Sequence, residues 1–125
     1  MNRARHILVV EDDPLIREMV AAALRGEGFD VAVAPHGAAA LAHVQEHGHP
    51  DLIVLDLRMP VMDGLRFAAA YHRLAGRQAP LVVMTAAVDA TRAGAAAGAA
   101  AVLAKPFDLS ELVSVVHRLS RRKAA

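Results

Sequence analysis

Three short runs of continuous apolar residues constrain the fold more than anything else in this chain: Ile7-Leu8-Val9-Val10, Leu52-Ile53-Val54-Leu55 and Leu81-Val82-Val83-Met84. Each has the length of a strand, and branched side chains dominate. A strand with one wet face alternates apolar and polar residues; a strand covered on both faces does not. The runs therefore predict a parallel sheet buried on both sides. Val31-Ala32-Val33 and Ala101-Val102-Leu103 are weaker candidates for two further strands.

Helical stretches separate the runs. Asp13-Pro14 reads as a side-chain cap followed by proline in the first turn, and the helix continues through Leu15, Ile16, Met19, Val20, Ala23 and Leu24 until Gly26 or Gly28 ends it. A second helix spans about Ala38 to His47 with Leu41 and Val44 inward. A third starts after Gly64 and reaches about Ala75. A fourth, nearly all alanine, runs from Asp89 to about Ala97. The fifth is capped by Asp108 or Ser110 and aligns Leu109, Leu112, Val116 and Leu119 on one stripe. Strand followed by helix, five times over, implies parallel strands joined by right-handed crossovers, an α/β fold.

A chain of 125 residues suits one domain, with its core at about 6–120 and a basic tail at 121–125. The hydrophobic fraction of 55% argues against disorder, although much of it is alanine. A net charge of +1, scattered along the chain, gives no electrostatic case for direct nucleic-acid binding. Cysteine is absent, which excludes disulfides and thiolate metal sites. The first apolar run is too short for the hydrophobic region of a signal peptide, and no stretch suits a membrane crossing, so a cytoplasmic protein is expected.

In an open parallel sheet, ligands bind beyond the carboxyl ends of the strands. There the first strand leads into Glu11-Asp12-Asp13, the third into Asp56, the fourth into Thr85 and the fifth into Lys105-Pro106. Clustered carboxylates repel one another and invite a hard cation with oxygen ligands, for which Mg²⁺ is suited. Asp56 is a candidate nucleophile toward phosphorus, Lys105 a second positive charge, and Thr85 a donor to a phosphoryl oxygen.

These residues, within Val9-Val10-Glu11-Asp12-Asp13-Pro14, Asp56-Leu57-Arg58-Met59-Pro60-Val61-Met62-Asp63-Gly64, Met84-Thr85-Ala86 and Lys105-Pro106-Phe107, resemble the receiver domain of bacterial two-component response regulators over about Ile7 to Leu119. The resemblance implies a flavodoxin-like fold of five parallel strands in the order 2-1-3-4-5, with helices on both faces. It implies that Asp56 accepts phosphoryl from a sensor histidine kinase or phosphotransfer protein. It implies Mg²⁺ on Asp12, Asp13, Asp56 and the backbone carbonyl of Arg58, a phosphoryl contact and switch at Thr85, Ala86 and Lys105, and a cis bond before Pro106. Such a protein is a signalling switch, catalysing only its own phosphorylation and slow dephosphorylation. Its output partner is not readable from the residues. A homodimer through the fourth and fifth helices is a family expectation that rests on the resemblance alone.

The chain departs from that family at Val102, where an aromatic switch residue is usual. Val102 with Val113 and Val115 is expected to form an apolar partner patch. A receiver-like binding module acting without phosphorylation is the alternative reading. An aspartyl phosphatase is disfavoured because Arg58 stands where such enzymes carry a general acid. His36, His43 and His47 share one side of the second helix, off its apolar stripe. Two histidines at i, i+4 can hold a metal, but with no acidic partner at matching spacing a water-facing set is expected.

Overall fold

The computed structural model describes residues 4–59, 61–86, 88 and 90–120. The elements run β1 (His6–Val10), α1 (Pro14–Gly26), β2 (Asp30–Ala34), α2 (Gly37–His47), β3 (Leu52–Asp56), α3 (Gly64–His72), β4 (Leu81–Ala86), α4 (Ala90–Ala97), β5 (Ala101–Lys105) and α5 (Leu109–Leu119). Pro60, Ala87, Asp89 and the basic end Arg121-Arg122-Lys123 lie outside the described residues.

The strands form one parallel sheet in the order β2-β1-β3-β4-β5, as expected. Alternation along each central strand explains its unbroken apolar character. Leu8, Val10, Ile53, Leu55, Leu81 and Val83 enter a core shared with Ala40 and Val44 of α2, Phe67 and Tyr71 of α3, and Ala97 of α4. Ile7, Val9, Leu52, Val54, Val82 and Met84 enter a second core with Val20 and Leu24 of α1 and Leu112 and Val116 of α5. Each of the buried Val, Leu, Ile, Phe and Met side chains contributes about 1.5–3 kcal/mol.

Helix ends follow local chemistry. Asp13 accepts from the N–H groups of Leu15 (2.9 Å) and Ile16 (3.2 Å), capping α1 beside its proline. At the other end Gly28 N–H donates to Arg25 O and Phe29 N–H to Leu24 O, with Gly28 at φ +90°, which is a Schellman closure. Of the residues spaced along α1, Val20 and Leu24 are buried, whereas Leu15 (69%) and Met19 (49%) face solvent.

His36 is half-buried and takes a role not expected: its Nδ1 accepts from Ala39 N–H at 3.1 Å and caps α2. One expectation needs correction. The third helix stops at His72 rather than near Ala75. The amide of Gln78 donates to Tyr71 O (3.0 Å) and Leu74 O (2.9 Å), taking carbonyls that a longer helix would use. At the cap of α5, Asp108 is the boundary residue but makes no side-chain bond to the helix.

Tyr71 anchors the same corner. Its buried hydroxyl accepts from Ala79 N–H at 2.8 Å and donates to His49 Nδ1 at 2.7 Å, while His49 Nε2 donates to Ala75 O at 2.7 Å. Burial raises the phenol's pKa, only partly offset by the Ala79 amide. Tyr71→Phe strands the Ala79 amide, so it lowers unfolding free energy by about 1–3 kcal/mol in urea titration.

Candidate functional site

The strand register brings the expected residues to one edge. Asp56 ends β3, Thr85 and Ala86 close β4, Lys105 ends β5, and Glu11 follows directly on β1. All of them line one cavity of about 350 Å³, together with Asp12, Asp13 and Arg58. Gly64 lies directly behind the end of β3. A Cβ there would meet the Asp56 carbonyl and lie 2.6 Å from Leu57 Cα, so only glycine lets α3 start this close to the end of β3. Gly64 N–H donates to Leu57 O at 3.0 Å and fixes that approach.

Lys105 Nζ reaches both buried acids, Glu11 Oε1 at 3.2 Å and Asp56 Oδ1 at 3.5 Å. Arg58 N–H lies 3.4 Å from the same Asp56 oxygen. The Lys105–Pro106 bond is cis. Burial draws the Lys105 ammonium toward its neutral form, but the Asp56 and Glu11 carboxylates outweigh it and the net shift is upward.

Carboxylate oxygens of Glu11, Asp12 and Asp56 lie within 4.8 Å of one another. Glu11 is fully buried, and burial pushes its carboxyl up to about 8, with the hydrogen bond and charge of Asp56 adding to the rise and Lys105 opposing it. Its Oε2 has no hydrogen-bond partner. A buried orphan oxygen among three acids with one ammonium between them is a cradle for a hard cation, and the all-oxygen donor set fits Mg²⁺.

This differs by one residue from the acidic pair expected from the sequence. Asp13 lines the cavity, but its Oδ1 is committed to the first turn of α1, and Glu11 takes the inner place instead. Arg17 holds the turn between them by donating to Glu11 O at 3.0 Å. The signal for Glu11 lay in the sequence: an Asp-Pro cap already occupied Asp13, leaving the two preceding acids for the strand end.

Val102, Val113 and Val115, expected as an apolar patch, are all partly exposed but lean on different cores. Alternation along β5 turns Val102 toward α4 and the first core, whereas Val113 and Val115 are half-buried against the second. A Cβ on Gly94 of α4 would collide with the Val102 side chain. Among the described residues, the large apolar side chain most exposed beside α4 is Val88, and others lie on α1 at Leu15 and Met19.

A family model described as the response regulator receiver domain matches residues 7–117. The chain belongs to the response regulator receiver family. It is 42% identical over 120 residues to the DNA-binding response regulator MtrA of Mycolicibacterium smegmatis, covering 94% of this chain and 51% of MtrA. It thus spans about half the length of the curated relatives it matches. Among solved structures, the chemotaxis response regulator CheY4 of Vibrio cholerae matches with a TM-score of 0.84 and 32% identity, over 94% of this chain and 99% of that one. The receiver domain of the sensor histidine kinase PA1611 of Pseudomonas aeruginosa, with a magnesium ion in its active-site cleft, matches with a TM-score of 0.84 and 30% identity, over 94% and 98%. As a receiver domain of the two-component family, the chain is a signalling switch. None of its described helices is long and apolar enough to cross a membrane.

The acids predict opposite stability effects. Asp13→Ala removes a cap and lowers stability by about 1 kcal/mol. Glu11 has a carboxyl raised in the fold from 4.5 to about 8, so between those values the native state holds a proton that the unfolded chain has lost. Stability in chelator therefore falls as pH rises through that window, and Glu11→Gln flattens the fall and raises stability at neutral pH by roughly 1–3 kcal/mol. Urea unfolding from pH 5 to 8 measures both.

Proposed function

We propose that the chain is one receiver domain that accepts a phosphoryl group on Asp56 from a sensor histidine kinase or a histidine phosphotransfer protein. The observation that carries this reading is Lys105 Nζ lying between Glu11 and Asp56 in the same cavity as Thr85. In the transfer, an Asp56 carboxylate oxygen bonds to phosphorus as the bond from the donor's ring nitrogen breaks. The imidazole keeps that electron pair. Lys105 balances the negative charge now carried at Asp56, and the Thr85 hydroxyl donates to a phosphoryl oxygen. Glu11, Asp12, Asp56 and the carbonyl of Arg58 would hold Mg²⁺, which neutralises charge on the transferring oxygens. Later attack of water on phosphorus frees Asp56, so the domain catalyses its own slow reset and no other turnover.

The phosphoryl group adds charge and acceptors that draw Thr85 and Lys105 together and bias the β4–α4 and β5–α5 connections. The chain then signals to a protein partner; whether that partner is another chain or another half of a longer regulator, as in the DNA-binding relatives, the switch is the same. A cytoplasmic location and a homodimer through α4 and α5 belong to this reading. A second reading, a protein-binding module acting without phosphate, is favoured by the tight seat of Val102 against Gly94, which leaves no ring to swing.

Acetyl phosphate decides between the two. Intact mass gains a single phosphoryl group when Mg²⁺ is present, gains none in chelator, and gains none in Asp56→Asn. Folded, Mg²⁺-binding protein that takes no phosphoryl group supports the silent module. Sedimentation of the phosphorylated protein tests the dimer.

A further inference from the structure

The end of the sheet remote from the acidic pocket carries a second concentration of ligating side chains. A cavity of about 520 Å³ opens there between the start of β1, the end of α2 and the α2–β3 turn, and His6, Asp30, His43, His47 and Asp51 line it. None of them is used by the phosphoryl chemistry. His6 and Glu11 stand five residues apart along one strand, so the two sites are separated by roughly 16 Å.

His43 and His47 stand one helical turn apart with ring centroids 4.6 Å from each other. That spacing lets two imidazoles chelate one ion. Burial, and then the neighbouring His47, lower the pKa of His43, which keeps a nitrogen lone pair available near neutral pH. His47 stays 58% exposed, with the adjacent Glu46 carboxylate 3.9 Å from its Nε2. Across the cavity, His6 Nδ1 lies 3.1 Å from Asp30 Oδ2. A carboxylate on one ring nitrogen orients the imidazole and raises the basicity of the other nitrogen, as in the carboxylate–histidine–metal arrangement. The backbone of His6 is itself pinned, its N–H donating to Asp51 Oδ2 at 2.8 Å. The tertiary fold thus adds Asp30 and Asp51, from two other segments, to the Glu46 that α2 itself supplies.

We infer that His43 and His47, with His6 as a third ligand oriented by Asp30, form a site for a borderline divalent transition ion of the Zn²⁺ class. Imidazole donors select such an ion, whereas the all-oxygen acidic pocket suits Mg²⁺. The pair is at chelating spacing in the fold. The third ring is not: among the described residues the one three-group set already within 4.8 Å is Glu11, Asp12 and Asp56. Ion binding therefore draws His6 and α2 together and braces the end of α2 against the start of β1. The inference is independent of phosphorylation.

Calorimetric titration of Zn²⁺ into the protein held in excess Mg²⁺ tests it. One equivalent binds, and the melting temperature rises with Zn²⁺. His43→Gln and His47→Gln each weaken binding by roughly tenfold or more, and Asp30→Asn and His6→Gln weaken it by about tenfold. Asp56→Asn leaves it unchanged. Circular dichroism of each variant verifies that these partly exposed substitutions leave the fold intact. With Co²⁺ in place of Zn²⁺, a visible ligand-field band appears that His43→Gln removes. Zn²⁺ binding that survives the His43→Gln/His47→Gln double variant, or that disappears in excess Mg²⁺ and in Asp56→Asn, would overturn the assignment. Binding unaffected by both His6→Gln and Asp30→Asn would overturn the third ligand.

Discussion

Glu11 and Asp56 are buried at the carboxyl ends of neighbouring strands, and two carboxylates so placed cannot both ionise without a compensating charge. Much of the surrounding structure answers that problem. Lys105 leans in from the far side of the sheet to reach both acids, and Arg58 turns its amide toward Asp56. The compensation is partial: Glu11 remains protonated well above the ordinary carboxylate range and keeps one oxygen without a partner. A site left short of positive charge favours a cation and then a group that brings its own charge with it. The fold supports this tension because both faces of the sheet beneath it are closed by apolar cores.

The strands were legible because those two cores demand unbroken apolar runs, which surface strands do not show. Asp56, Thr85 and Lys105 were legible because strand ends are where such a sheet gathers its chemistry. Three consecutive acids look alike in sequence, and only the point where β1 stops and the cap of α1 begins shows that Glu11, rather than Asp13, stands with Asp12 in the tight cluster around Asp56. His36 and the end of α3 escaped for another reason. An imidazole that caps its own helix and a glutamine that claims two carbonyls are side-chain acts with no periodic trace. Strand alternation, by contrast, sets Val102 and the partly exposed α5 valines against opposite cores, which the sequence stripe on α5 does not reveal.

The histidines show the same limit from the other direction. Along α2, the one acidic residue near His43 and His47 is Glu46, which is exposed, and helical spacing alone points the pair toward water. Parallel pairing of β1 with β2 aligns His6 with Asp30, and both line one cavity with the pair on α2. A cavity lined from three elements cannot be read from any one of them.

The contact between Gly94 and Val102 reaches beyond packing. α4 sits so near β5 that the glycine has no room for a methyl group, and the valine fills the space between them. The aromatic side chain usual in this family thus could not be restored here by exchanging one residue. A ring at position 102 would have to point outward permanently or lever the helix away from the sheet. Position 94 and position 102 are therefore sterically coupled: enlarging either side chain demands that α4 move away from β5.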